Sequence, residues 1–186
     1  MKNILNKLFN YQSLEKGEAR EILINLASGY YNPSQMAAFM TVFMMRNITV
    51  DELSGFRDAM LELCVKIPAK GYNAIDLCGT GGDGKDTFNI STLASFVVAG
   101  AGYHVAKHGN YGVSSVCGSS NVLEHLGCRF SNDVGRIMKS FDQSKIAFLH
   151  APMFHPAMKN VAPIRKELGV KTFFNRFQIN LFKIMQ

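Results

Sequence analysis

The sequence predicts an α/β fold preceded by a small all-α domain, with a parallel-type sheet flanked by helices. Three observations carry that reading. Residues 1–66 place their apolar side chains at helical spacing; from residue 67 onward short apolar runs alternate with helical stretches; and the glycine-rich turn "CGTGGDGKDT", Cys78–Thr87, separates the first such run from the first such helix. Parallel strands need crossover connections, and the intervening helices supply them.

The helical front is written in its caps. Ser13 is expected to cap an early helix, and Asn32-Pro33 is an N-cap followed by proline at the first helical position. Behind it Met36, Phe39, Met40 and Phe43 form an apolar stripe at helical spacing. Such a stripe is core, or, being methionine-rich, a subunit interface. Thr49-x-x-Glu52 is a capping box opening a helix that carries Leu53, Phe56, Met60 and Leu63. Ile67-Pro68-Ala69-Lys70-Gly71 is a boundary, dividing a helical domain at 1–66 from an α/β domain at 67–186.

Beyond the boundary, "AIDLC" predicts a short buried strand and "TFNISTLASFVVAGAG" a helix ending at Gly100 or Gly102. "HVAKHG" reads as a second strand, "SSNVLEHLG" as a helix closed by Gly127, and "KIAFLHA" as a third strand. "AMKNVAPIRKELG" is helical with an interrupting Pro163.

Composition narrows the function classes. Of the 186 residues 47% are apolar and 18% charged, a globular mix, and the net charge of +6 favours anionic small molecules. No dense Lys/Arg stripe and no aromatic-interleaved basic patch points to nucleic acid. The most apolar run, Leu93–Ala101, is too short to span a bilayer, and the N-terminal residues lack a secretion signal. Cys64, Cys78, Cys117 and Cys128 show neither CxxC nor metal spacing, so free thiols in a reducing cytoplasm are expected.

The glycine turn nearly matches two nucleotide motifs. Gly79-x-Gly81-x-x-Gly84 fits the dinucleotide fingerprint, but that fingerprint requires an acid about 20 residues on, and no Asp or Glu occurs from Thr87 to Leu123. Gly84-Lys85 approaches the phosphate loop of nucleotide hydrolases, but Asp86 stands where Ser or Thr must hold magnesium, and Asp83 adds a second carboxylate. What survives is shared physics: glycines let backbone approach an anion, and the next helix points free N–H groups at it. Asn89, Ser91 and Thr92 add neutral donors, Lys107 and His108 come from the next strand end, and Ser114–Ser120 supplies hydroxyls. In an open α/β sheet these share one rim, suited to a phosphate-rich ligand. The residues alone leave open a glycine turn that only packs strand on helix.

"DLCGTGGDGKDTFNIST", "VAKHGN", "SSVCGSSNVLEHLG" and "HPAMKNVAPIRKELG", in this order and spacing, resemble the anthranilate phosphoribosyltransferases, as does the front "YYNPSQMAAFMTVFMMRNITVDELSGFRDAM". The resemblance covers residues 1 to about 175. It implies transfer of a phosphoribosyl group from phosphoribosyl pyrophosphate to the amine of anthranilate in tryptophan biosynthesis, with Mg2+, by a cytoplasmic homodimer joined through its helical part. By the same resemblance, Gly79, Thr80, Gly81, Gly82, Asp83, Thr87, Asn89, Ser91, Thr92, Lys107 and Ser119 bind phosphoribosyl pyrophosphate. Ser91 also helps bind one magnesium, and Gly79, His108, Asn110, His155 and Arg165 face anthranilate. No residue is assigned as a catalytic acid or base: an aromatic amine is neutral at pH 7, and positioning with stabilisation of the leaving charge suffices. Arg165 suits two-pronged grip of a carboxylate.

The sequence departs from the family after "FFN". Asn175 is followed by "RFQINLFKIMQ" where a Gly-Pro-Leu, Asn-Pro segment is expected. The α/β domain is therefore read as truncated, without the acidic pair that the family uses for magnesium, and the last eleven residues as the product of a shifted reading frame or of an artificial alteration of the chain. Poor or absent turnover is the expected consequence. Lesser departures are Tyr111 and Gly112, where Arg and a small residue are frequent, and Asn121, where Asp is frequent. Two alternatives stand beside this reading: a non-catalytic dimerising fragment, and a pyrimidine nucleoside phosphorylase of the related fold.

Overall fold

A computed structural model describes residues 1–79, 88–112, 117–170 and 172–174. In chain order the helices α1 (Lys2–Phe9), α2 (Lys16–Ala27), α3 (Pro33–Met45) and α4 (Val50–Leu63) come first. After a 3-10 turn at Lys70–Tyr72 follow α5 (Ile90–Gly100), β1 (Val105–Gly109), α6 (Ser119–His125), α7 (Val134–Ser144), β2 (Ile146–His150) and α8 (Ala151–Phe154). A second 3-10 turn, Pro156–Lys159, leads into α9 (Ala162–Leu168). The fold is the expected one, a helical bundle plus an α/β part with a small parallel sheet flanked by helices. The described residues divide into two compact units: Met1–Cys64 joined by residues 155–170 and 172–174, and Val65–Phe154.

The first unit is built from α1–α4 and α9. Asn32 caps α3 by accepting the Gln35 N–H at 2.9 Å, and Thr49 caps α4 by accepting the Glu52 N–H at 3.2 Å, as the sequence predicts. Ser13 does not cap α2. The helix starts after Glu15, whose N–H donates to Glu18 Oε2 at 2.9 Å. With Glu15 as cap the residue three positions on is an acid that can reach back; with Ser13 it would be Lys16. The methionine stripe is core: Met36, Phe39, Met40 and Phe43 are buried, and Phe39, Phe43, Phe56 and Phe173 form one aromatic cluster with Phe56 stacked on Phe173 at 4.8 Å. Helices α2 and α4 approach so closely at Gly55 that a Cβ there would lie 2.2 Å from the Lys16 carbonyl oxygen. Pro163 sits in the first turn of α9 and begins that helix rather than interrupting one, because its missing N–H has no intrahelical partner there anyway.

A buried carboxylate ties this unit together. Glu52 is fully buried and accepts from the Leu14 N–H at 2.9 Å, the Thr49 N–H at 2.9 Å and both terminal nitrogens of Arg46. Burial by itself raises the pKa of this carboxyl, but the Arg46 guanidinium and the two backbone donors outweigh it and hold the group below the ordinary glutamate range.

The second unit contains the sheet. β1 and β2 pair in parallel, Val105 opposite Ile146 and Gly109 opposite His150. The predicted strand "AIDLC" contributes a single bridge, Ile75 to Val105. Ile75 N–H donates to His104 O and Ala106 N–H to Ile75 O, both at 2.9 Å. Continued one rung, that ladder would bond the His108 N–H to the Leu77 carbonyl. Instead His108 N–H donates to Asp76 Oδ1 at 3.2 Å, and the Leu77 carbonyl accepts from Lys107 Nζ at 2.7 Å. Side chains have taken over the rung, and the strand ends there.

Ala99, Val105 and Ile146 form the core beneath, with Leu77, Val98 and Phe148 against it. The opposite side of α5 is bare: Ile90, Leu93 and Val97, at helical spacing, are exposed, as are Phe88 and Phe96. Gly127 closes the α6 segment in a left-handed conformation, φ +86°. No helix among the described residues is long and apolar enough to cross a membrane, and the four cysteines are free thiols.

Candidate functional site

The carboxyl ends of the parallel segments gather the chemistry of the second unit, the place where open α/β sheets hold ligands. Asp76–Gly79 leave the bridged segment, Lys107–Asn110 end β1, and His150 ends β2. The first turns of α5 and α6 bring Asn89, Ser91, Thr92, Ser119 and Ser120.

Lys107 is the most unusual member. It is 1% exposed, and its ammonium donates to the Leu77 carbonyl and lies 3.3 Å from Ser91 Oγ. Burial pushes its pKa below the ordinary lysine value, with the Cys78 thiol and the Asp76 carboxylate opposing the shift. Cys78 is shifted upward by burial and by Asp76. Thr92 is buried, and its hydroxyl has no hydrogen-bond partner among the described residues. A buried hydroxyl in that state is costly unless a ligand or water completes it.

At β1's end the His108 ring lies with Nδ1 3.2 Å from Asp76 Oδ2. Asn110 turns the chain toward α6: its Oδ1 accepts the Tyr111 N–H, and its carbonyl accepts the Ser120 N–H and the Ser119 hydroxyl. Asn121 Oδ1 accepts both the Gly112 N–H at 3.0 Å and the Gly118 N–H at 2.9 Å. Only glycine fits at position 118, because a Cβ there would meet the Gly112 nitrogen at 2.4 Å and the Asn110 carbonyl oxygen at 2.6 Å.

His150 was not among the expected site residues. Its Nδ1 is 2.8 Å from the Ser120 hydroxyl, and its ring stacks on Phe130 at 4.7 Å and meets Tyr111 edge-on. Burial lowers its pKa, so it is held toward the neutral form. Asp76 was missed as well. His150 carried a signal, standing near the carboxyl end of the predicted strand "KIAFLHA"; Asp76 carried another, a carboxylate in the middle of the apolar run "AIDLC".

The structure thus brings together Gly79, Asn89, Ser91, Thr92, Lys107, His108, Asn110 and Ser119 in the second unit. Thr80, Gly81, Gly82, Asp83 and Thr87 lie outside the described residues, as do Ser114 and the tail from Asn175 to Gln186. His155 and Arg165 belong to the first unit. His155 is buried at the start of the second 3-10 turn, and Arg165, on α9, holds its guanidinium 5.5 Å from the Phe174 ring, where burial lowers its pKa.

Comparison with known proteins agrees with the motifs. The model of the glycosyl transferase family helical bundle domain matches residues 2–64, and that of the glycosyl transferase family a/b domain matches residues 71–177. Anthranilate phosphoribosyltransferase of Flavobacterium johnsoniae is 71% identical over 175 residues, 94% of this chain and 53% of the relative. The corresponding protein of Bacteroides thetaiotaomicron is 59% identical over the same span. Among solved structures, anthranilate phosphoribosyltransferase of Thermus thermophilus superposes with a TM-score of 0.83 at 36% identity, covering 95% of this chain and 54% of that one. The Saccharomyces cerevisiae protein, in complex with PRPP and Mg, gives 0.81 at 26% identity, covering 95% and 53%. The chain spans about half the length of the curated relatives it matches.

Proposed function

Since the chain belongs to the glycosyl transferase family, carrying its helical bundle domain and its a/b domain, we propose that it serves transfer of the phosphoribosyl group from phosphoribosyl pyrophosphate to anthranilate, in tryptophan biosynthesis. The observation that supports this reading best is the buried Lys107 beside Ser91 and Thr92 at the first turn of α5. A buried cation, an unsatisfied hydroxyl and helix N–H groups together suit the pyrophosphate of such a donor. Gly79 and Asn89 border the same rim, and Ser119 opens the next helix on it. His108 and Asn110, with His155 and Arg165, are the proposed contacts of the aromatic acceptor.

Magnesium fits this rim as a companion of phosphate oxygens rather than as a caged ion. Among the described residues no group of three or more His, Cys, Asp or Glu could hold a metal, and Ser91 offers a hydroxyl oxygen. Magnesium takes substrate phosphates and few protein ligands in sites of this kind. When bound it neutralises charge on the leaving pyrophosphate. Lys107, held in place by the Leu77 carbonyl, is positioned to set an ammonium where that negative charge develops. Homodimerisation through the helical unit and a cytoplasmic setting complete the proposal.

Calorimetric titration of the chain with phosphoribosyl pyrophosphate and magnesium tests it. Saturable one-to-one binding is expected, lost in Lys107→Met, with anthranilate fluorescence responding only after the donor is present. Absence of donor binding, or release of a nucleobase from a pyrimidine nucleoside in phosphate buffer, would sink the reading.

A further inference from the structure

We infer that Asp76 is the positioning residue for His108: it fixes the imidazole as the Nδ1–H tautomer, so that Nε2 carries the ring's lone pair and can only accept. Both oxygens of Asp76 are committed to one residue. Oδ1 accepts the His108 backbone N–H and Oδ2 lies 3.2 Å from His108 Nδ1. The backbone N–H can only donate, so the carboxylate cannot rotate away without leaving it unpaired. An unprotonated Nδ1 would set a lone pair against a carboxylate oxygen. With side-chain exposures of 12% for Asp76 and 5% for His108, water does not relieve that repulsion. Among the described residues the adjacent Lys107 ammonium bonds the Leu77 carbonyl and lies near Ser91.

The consequence for recognition rests on the proposed function. A ring presenting an Nε2 lone pair accepts from an amine and cannot donate to a carboxylate. His108 in this state is suited to the amino group of the aromatic acceptor rather than to its carboxylate.

Long-range proton–nitrogen correlation spectra of the full chain, labelled with 15N-histidine and recorded at about pH 8.5, two units above the ordinary histidine value, assign the tautomer directly. The wild-type His108 is expected as Nδ1–H. In Asp76→Asn the amide oxygen stays on the backbone N–H, its NH2 faces Nδ1, and the tautomer is expected to invert to Nε2–H with the fold retained by circular dichroism. A wild-type ring in the Nε2–H form overturns the inference. So does a folded Asp76→Asn variant with an unchanged ring, since a purely structural carboxylate would leave the tautomer alone. No ligand enters the measurement, so its failure is distinct from failure of donor binding.

Discussion

The two units bury charge in different company. In the first, Glu52 is enclosed by two backbone N–H groups and a two-pronged arginine, and its carboxylate oxygens are engaged. In the second, Lys107 is buried with a carbonyl and a hydroxyl for company, and the Thr92 hydroxyl is unsatisfied among the described residues. Phe39, Phe43, Phe56 and Phe173 of the first unit are packed on one another, whereas Ile90, Leu93 and Val97 of the second stand in line on the open side of α5. Satisfied polar groups with closed apolar packing stabilise a unit; unsatisfied ones raise its energy until something binds. The Glu52 network bears on the stability of the first unit, and the Lys107 and Thr92 cluster is the ligand rim proposed for the second.

Substitutions can break or sharpen that contrast. The largest effect belongs to Phe56→Ala, which empties the centre of the aromatic cluster and should cost about 3–5 kcal/mol in urea denaturation. Glu52→Ala leaves Arg46 and two N–H groups buried without their acceptor, a loss of about 3–5 kcal/mol by the same measurement. Its pH dependence has a definite sign. The folded carboxyl titrates below the ordinary glutamate value, so its contribution is complete above that value and disappears as pH falls through the folded one. Acid titration of wild type against Glu52→Gln should show this slope in the wild type alone. Gly118→Ala forces a Cβ into backbone and should cost about 1–3 kcal/mol while weakening donor binding. Lys107→Met should change stability by under about 1 kcal/mol, because a buried cation exchanges for an apolar chain of similar volume, while donor binding falls at least tenfold by calorimetry. Smallest is Val97→Lys, exposed at 63%, which should shift stability within about 0.5 kcal/mol and reduce light scattering at high concentration. A large stability loss from Lys107→Met would erase the contrast.

Legibility follows the range of the interactions. Asn32 and Thr49 were readable because a cap is decided within four residues. The second backbone partner of Glu52, the Leu14 N–H, is 38 residues away and leaves no local trace. Ser13 failed as a cap because the reach-back acid three positions on outweighed hydroxyl preference. The helix α7 went unread: its buried apolar face is Ile137 and Phe141 alone, although Asp133 caps it by accepting the Arg136 N–H. The strand at "AIDLC" was overestimated because its apolar pattern cannot show that Asp76 and Lys107 take over the next rung. At the site, the residue types at the strand ends were legible, whereas the pairings Asp76–His108 and Ser120–His150 exist only once β1 and β2 are in register.

Asn121 has a consequence of a different kind. One oxygen atom receives the amides of Gly112 and Gly118, so both ends of the intervening segment are moored at a single point on α6. Whatever is spliced between those moorings enters and leaves at the same place. Closing a longer loop costs only about 0.6 kcal/mol per doubling of its length. This is where the protein can acquire or exchange sequence, by drift or by grafting, without moving the helix start that carries Ser119 and Ser120.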